Sequence, residues 1–150
     1  MIFCPPASIT TRNFSKPTIF MAGSIEMGKA EDWQSKFAER FDALGFEVFN
    51  PRRADWNSDW IQSFENPHFY QQVDWELNAL EKSNYILMHF SGGTLSPISL
   101  LELGLYAHSG KLLVHCDDDF WRKGNVDMVC KRWNIPQFNS LEAIVAHLLK

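Results

Sequence analysis

Glu102 is the one acid in a mostly apolar stretch, Ser96-Pro-Ile-Ser-Leu-Leu-Glu-Leu-Gly-Leu-Tyr106. Ser96 and Pro97 have the residue types that start a helix, with Ser at the N-cap and Pro at the first helical position. Ser99, Glu102 and Tyr106 then fall on one helical face. A carboxylate with Leu100, Leu101, Leu103 and Leu105 around it is either on a narrow solvent stripe or held inside a pocket, where it could act as a nucleophile. Asp74 is the second acid of interest, in a segment where Asn78 follows one turn later. An Asp near a helix start is favoured by the helix dipole in any protein, so by itself it reads as structural. Two carboxylates flanking an anomeric carbon can divide the breaking of a glycosidic bond, one as nucleophile and one as proton carrier. Spacing alone does not say whether these two converge.

Other polar groups could hold a substrate. Gly23-Ser-Ile-Glu-Met-Gly28 joins an apolar run to a helix, where exposed N–H groups favour an anion. Its spacing fits neither GxGxxG nor the P-loop, so it is either a plain connecting loop or one in which Ser24 reaches a sugar hydroxyl or a phosphate. The loop Asn50-Pro-Arg-Arg-Ala-Asp-Trp-Asn-Ser-Asp-Trp60 pairs Trp with Asp. Asp55 and Trp56 could hydrogen-bond to and stack on a nucleobase, or the aromatics could anchor the loop to the core. Asp117 to Asp119 lacks the spaced ligands of a calcium loop. The five histidines show no HExxH and no close pair in sequence, and neither metal nor catalytic histidine is expected.

The elements that would position these groups alternate. Strands are expected at Thr18–Ala22, Phe46–Phe49, Tyr85–Phe90 and Lys111–His115, with a stub at Ile135–Phe138. Helices are expected over Glu31–Leu44, where Trp33, Phe37, Phe41 and Leu44 recur at helical spacing before Gly45, and over His68–Lys82, marked by Val73, Leu77 and Leu80. A third follows Ser96, a short one surrounds Val126–Lys131, and the last starts at Asn139 with Glu142 as a capping-box partner. Its core face is Leu141, Ile144, Val145 and Leu148. Residues 1–16 show no periodicity and read as an irregular arm. Alternation of this kind predicts one α/β domain over residues 1–150, with a mostly parallel sheet of about five strands covered on both faces.

Composition narrows the partners. The net charge of −4 and pI near 5.7 argue against a nucleic-acid polymer, whose binding groove needs clustered Lys and Arg. No apolar run approaches the length that spans a bilayer, and the N-terminus lacks a signal pattern, so a cytoplasmic protein is expected. Cys4, Cys116 and Cys130 are odd in number and form no CxxC, which indicates reduced thiols rather than disulfides or zinc ligands.

Ile19-Phe-Met-Ala-Gly-Ser-Ile25, the Asp74 helix, and Gly93-Thr-Leu-Ser-Pro-Ile-Ser-Leu-Leu-Glu-Leu-Gly104 together resemble the nucleoside 2-deoxyribosyltransferase superfamily, in order from about Thr18 to Pro136. The resemblance implies a flavodoxin-like three-layer α/β sandwich. It also implies exchange or hydrolysis of the N-glycosidic bond of 2′-deoxynucleosides in nucleotide salvage, without metal or cofactor. Glu102 matches the glutamate that attacks C1′ to form a deoxyribosyl ester, and Asp74 the acid beside the departing base. Gly23 and Ser24 match the loop at the sugar's 5′ end. Sites of the family are completed by a neighbouring subunit, which implies a homo-oligomer, with Asn125 as a candidate contact in trans. The partners are then a small nucleoside or nucleotide and a free nucleobase. One departure is informative: the transferases carry Asp six residues before the nucleophile, where this chain has Ser96. Ser at that position is similar to the branch that hydrolyses 2′-deoxynucleoside 5′-monophosphates. The expected activity is therefore deoxyribosyl transfer, the alternative is monophosphate N-glycoside hydrolysis, and a nucleotide-sensing domain without turnover is the reading from another class.

Overall fold

The structure, a computed structural model, describes residues 1–26 and 30–150. Among these residues six strands form a single sheet in the order β1-β3-β2-β4-β5-β6. Without the edge strand β1 the order is 2-1-3-4-5, the flavodoxin-like arrangement, whose ligands bind beyond the carboxyl ends of the strands where the order reverses. The chain divides into two compact units, residues 1–20 with 33–84 and residues 21–32 with 85–150.

The first unit holds β1 (Ile2–Phe3), the start of β2 (Thr18–Gly23), α1 (Trp33–Ala43), β3 (Glu47–Phe49) and α2 (Pro67–Lys82). Trp33, Phe37 and Phe41 form the buried stripe of α1, as their spacing predicts. Gly45 ends the helix at φ +90°, while Phe46 N–H bonds to Phe41 O and Gly45 N–H to Asp42 O, a Schellman closure that a side chain with Cβ would strain. Asn66 caps α2, its side chain accepting from the N–H groups of His68 and Phe69.

Two expectations for this unit need correction. The N-terminal arm is not irregular throughout: Ile2–Phe3 pairs in parallel with Val48–Phe49, Phe3 and Ile9 are buried, and Phe14 packs edge-on against Phe3 and Phe49. A two-residue strand has no period to detect, and only the exposed edge of β3 creates it. The buried face of α2 is also rotated, being Gln72, Trp75, Ala79 and Leu80, with Leu77 45% exposed. Trp75 sets that rotation, since its indole carries the largest apolar surface on the helix and its Nε1–H reaches Ala7 O at 2.8 Å.

The second unit holds the end of β2, β4 (Tyr85–Phe90), α3 (Pro97–Tyr106), β5 (Leu112–Cys116), α4 (Lys123–Trp133), β6 (Gln137–Phe138) and α5 (Leu141–Leu148). Ile86 to Phe90 are all buried, the continuous apolar run expected of a parallel strand covered on both faces. β4 pairs with β5 in the register Ile86↔Leu112 to Phe90↔Cys116, and β5 pairs with β6. The cap of α5 is Ser140 rather than Asn139: its Oγ accepts from Ala143 N–H, one residue later than the Asn139–Glu142 pattern suggests. No helix is long and apolar enough to cross a membrane among the described residues.

Candidate active site

β2 and β4 run to the same end of the sheet, and the loops that follow them meet within the second unit. Gly23 stands at φ +132°, and any Cβ there would collide with the His89 backbone, so glycine lets the two strand ends close up. Ser24 is fully buried. Its N–H bonds to His89 O at 3.0 Å and its Oγ accepts from Ser91 N–H at 2.9 Å. Oγ also lies 2.9 Å from Thr94 Oγ1 and 2.6 Å from Ser96 Oγ, and those two are 2.8 Å apart. Thr94 gives its proton to Ser91 O, which leaves two hydroxyl protons for three oxygen pairs. The hydroxyls can therefore redistribute their donors without any backbone movement.

Ser96 occupies the N-cap position of α3, but its side chain makes no capping bond and its backbone is left-handed, φ +46°. The hydroxyl expected at the helix N–H groups belongs instead to the Ser24 cluster. In its place a carboxylate has come: Glu26 Oε1 accepts from Leu95 N–H at 2.8 Å and Ser96 N–H at 2.6 Å. Two successive N–H groups on one anionic oxygen at a helix start form an anion cradle. Met27 and Gly28, the rest of the Gly-bounded loop, lie outside the described residues.

The orientation of α3 answers the question its sequence left open. Its buried residues are Ser99, Glu102 and Leu103, whereas Ile98, Leu101 and Leu105 are 59%, 66% and 61% exposed. The polar face is inside and much of the apolar face is outside. Glu102 at 8% exposure is therefore no solvent stripe. It follows Ser96 by six residues, about 9 Å along the helix axis. Tyr106 is half-buried.

Residues expected in the first unit fare differently. Asp74 is exposed on α2, and its carbonyl accepts from Asn78 Nδ2 at 2.7 Å. Two residues on, Glu76 is only half-exposed, and burial pushes its carboxyl up to about 7 against the opposing hydrogen bond from Gln72 Nε2. Gln72 Nε2 also donates to Pro51 O at 2.9 Å, tying this turn of α2 to the chain leaving β3. A carboxyl that titrates near neutrality suits proton transfer. Sequence reasoning passed over it because its spacing to Gln72 is unremarkable and its desolvation is tertiary.

Asp55 is exposed and held by Arg53, whose Nε and Nη2 reach its two oxygens at 2.6 and 3.2 Å; that hydrogen bonding keeps Asp55 below the usual carboxylate range. Trp56 packs edge-on with Trp60, which stacks on His68, and Arg53 lies over Trp60. The loop is thus organised by its own aromatics. Trp56 Nε1 and Arg53 Nη1 are buried donors without an acceptor among the described residues, a condition that a bound carbonyl or anionic oxygen would relieve. Asn125 is exposed on α4.

The histidines are the clearest omission of the sequence reading: His89 and His115 face each other across β4 and β5, Nδ1 to Nδ1 at 2.9 Å. Burial, and then the neighbouring His115, lower His89 to about 4, and burial lowers His115 as well. Cys116 and Cys130 are free thiols pushed by burial to about 11 and about 12, so neither is a nucleophile near neutrality.

The family described as Nucleoside 2-deoxyribosyltransferase like matches residues 16–120, more than two thirds of the chain. That span includes Ser24, Glu26, Asp74, Glu76, Ser96 and Glu102. No curated protein sequence matches the chain.

Proposed function

Since the chain belongs to the nucleoside 2-deoxyribosyltransferase-like family, we propose that it cleaves the N-glycosidic bond of a 2′-deoxynucleoside through a deoxyribosyl ester on Glu102 and passes the sugar to another nucleobase. The observation that carries this reading is the inverted α3, which buries its only carboxylate while leaving leucines in solvent. Burying an acid while exposing apolar surface costs stability in both respects, and a reactive role for the acid accounts for it.

Attack by Glu102 divides one displacement into two easier steps with an oxocarbenium-like transition state. The departing base takes a proton, for which Glu76 on α2, its carboxyl raised to about 7 by burial, is a candidate donor, with Asp74 kept as the position that the family resemblance picks out. Trp56 and Arg53 offer the aromatic face and orphan donors that suit a base. The exposed Ile98, Leu101 and Leu105 stripe supports self-association through α3, which would bury that surface. Asn125 would then be a contact in trans.

A second reading, hydrolysis of a 2′-deoxynucleoside 5′-monophosphate, is favoured by a specific observation. The N–H groups of Leu95 and Ser96 already hold an anionic oxygen from Glu26, and the Ser24, Thr94 and Ser96 hydroxyls adjoin them. One assay separates the readings: the protein is incubated with a deoxynucleoside or its 5′-monophosphate, with and without a second base, and products are followed by chromatography. A new nucleoside that forms only with added base supports transfer. Free base released from the monophosphate supports hydrolysis, and binding without products in every arm rejects both in favour of a sensing domain.

A further inference from the structure

One set of ligating side chains has no part in that chemistry. His89 and His115 are directly opposite in the β4–β5 register, so both imidazoles leave the same face of the sheet. Their ring planes are parallel within 4°, with centroids 4.8 Å apart. Their Nδ1 atoms lie within hydrogen-bond distance at 2.9 Å. Asp117 follows β5 immediately. Its Oδ1 lies 3.8 Å from His115 Nε2, and its Oδ2 accepts from Gly92 N–H at 2.9 Å. Asp117 N–H in turn bonds to Phe90 O. One ligand atom from each of the three residues falls within 4.8 Å of the others.

We propose that His89, His115 and Asp117 form a binding site for a divalent first-row transition ion, with zinc as the type case. Two imidazole nitrogens and one carboxylate oxygen form the mixed N/O donor set that such ions take, in preference to the all-oxygen sets of calcium and magnesium. Zinc–nitrogen bonds of about 2.0–2.1 Å at a tetrahedral angle put two nitrogens about 3.3 Å apart, so the pair must open by about 0.4 Å and each ring must turn its Nδ1 lone pair toward the ion. The proton shared between the two Nδ1 atoms moves to Nε2 of the ring that carries it, through solvent. Each imidazole then stays neutral and offers one Nδ1 lone pair, and no net proton is released. The Gly92 N–H on Oδ2 fixes the carboxylate from outside the ligand shell. Cys116 points to the opposite face by strand alternation and is no ligand. His115 and Asp117 are half-buried, which leaves a coordination position for water.

The site also touches the first loop through the backbone, since His89 O accepts the Ser24 N–H. A metal at His89 would stiffen the strand end that holds the hydroxyl cluster, without entering the glycosidic step. The test uses the full chain after treatment with a chelator and titration with Co²⁺, followed by its visible d–d absorption and by displacement with Zn²⁺. The expected result is one saturable equivalent, displaced by zinc, weakened roughly 100-fold or more in His115→Ala and unchanged in His108→Ala and His147→Ala, both of which alter exposed histidines. In nitrogen NMR of the imidazoles, zinc should move the His89 and His115 Nδ1 resonances together. That measurement needs no variant and decides the matter if His115→Ala fails to fold. Absence of a saturable band in the folded protein, equal binding by a folded His115→Ala, or imidazole resonances that zinc leaves in place would each overturn the site.

Discussion

Glu102 and Glu76 are both acids withdrawn from water, and they make different predictions. Glu102→Ala removes a carboxylate from a helix whose other turns stay intact, so turnover should fall by at least roughly 10³-fold while the circular dichroism spectrum is unchanged. Near-normal turnover would end the case for a nucleophile there. For Glu76 the raised pKa is also a stability term. The folded protein prefers the protonated acid, so nothing is lost below the ordinary value of 4.5, and the cost grows as pH rises through about 7. Glu76→Gln should therefore match the parent in urea unfolding near pH 4 and exceed it by about 1–2 kcal/mol at pH 8. A constant difference at both pH values would show that desolvation of the charge is not the cause. Asp74 is exposed, so Asp74→Asn should leave stability in urea unfolding close to the parent's.

At the scale of elements, α3 carries two further expectations. Its N-terminus holds the Glu26 carboxylate on two N–H groups, so a substrate phosphate must displace a like charge to use them. Glu26→Gln should tighten binding of a deoxynucleoside 5′-monophosphate by roughly 10-fold, about 1.4 kcal/mol, and leave the unphosphorylated nucleoside unaffected; calorimetry of the two ligands checks both. Equal effects on both would argue against a phosphate at this cradle. On the opposite face, Leu101 stands in the exposed apolar stripe. Leu101→Asp should shift the protein to monomer in sedimentation or size exclusion if α3 mediates self-association, and an unchanged mass would locate any interface elsewhere.

For the molecule as a whole, the first sixteen residues are part of its stability. Phe3 is 5% exposed and lies against Phe14, Phe49 and the Arg12 guanidinium. Phe3→Ala should cost about 3 kcal/mol in chemical denaturation, where a disordered arm would give no effect.

Local chemistry made much of this fold legible. Tyr85–Phe90 reads as a buried strand because it is a short run of six residues, five of them apolar, bounded by Asn and Ser-Gly-Gly. Trp33, Phe37 and Phe41 declare α1, and Gly45 ends it, because helical period and the left-handed cap are properties of a few consecutive residues. The order of those elements suffices for a parallel α/β sheet, and Ser24 and Ser96 could be singled out as hydroxyls at strand-to-helix turns. What required tertiary structure was everything set by pairing between distant segments. The Ile2–Phe3 strand exists because β3 offers it an edge. Residues 89 and 115 are 26 apart in sequence, and only parallel register makes them neighbours. Glu76 acquires its acidity from burial that no spacing records. Whether α3 turned Glu102 inward or outward was undecidable from a helix with leucine on most sides; the buried Ser96, fastened to Ser24, settles the rotation and carries Ser99 and Glu102 inside with it.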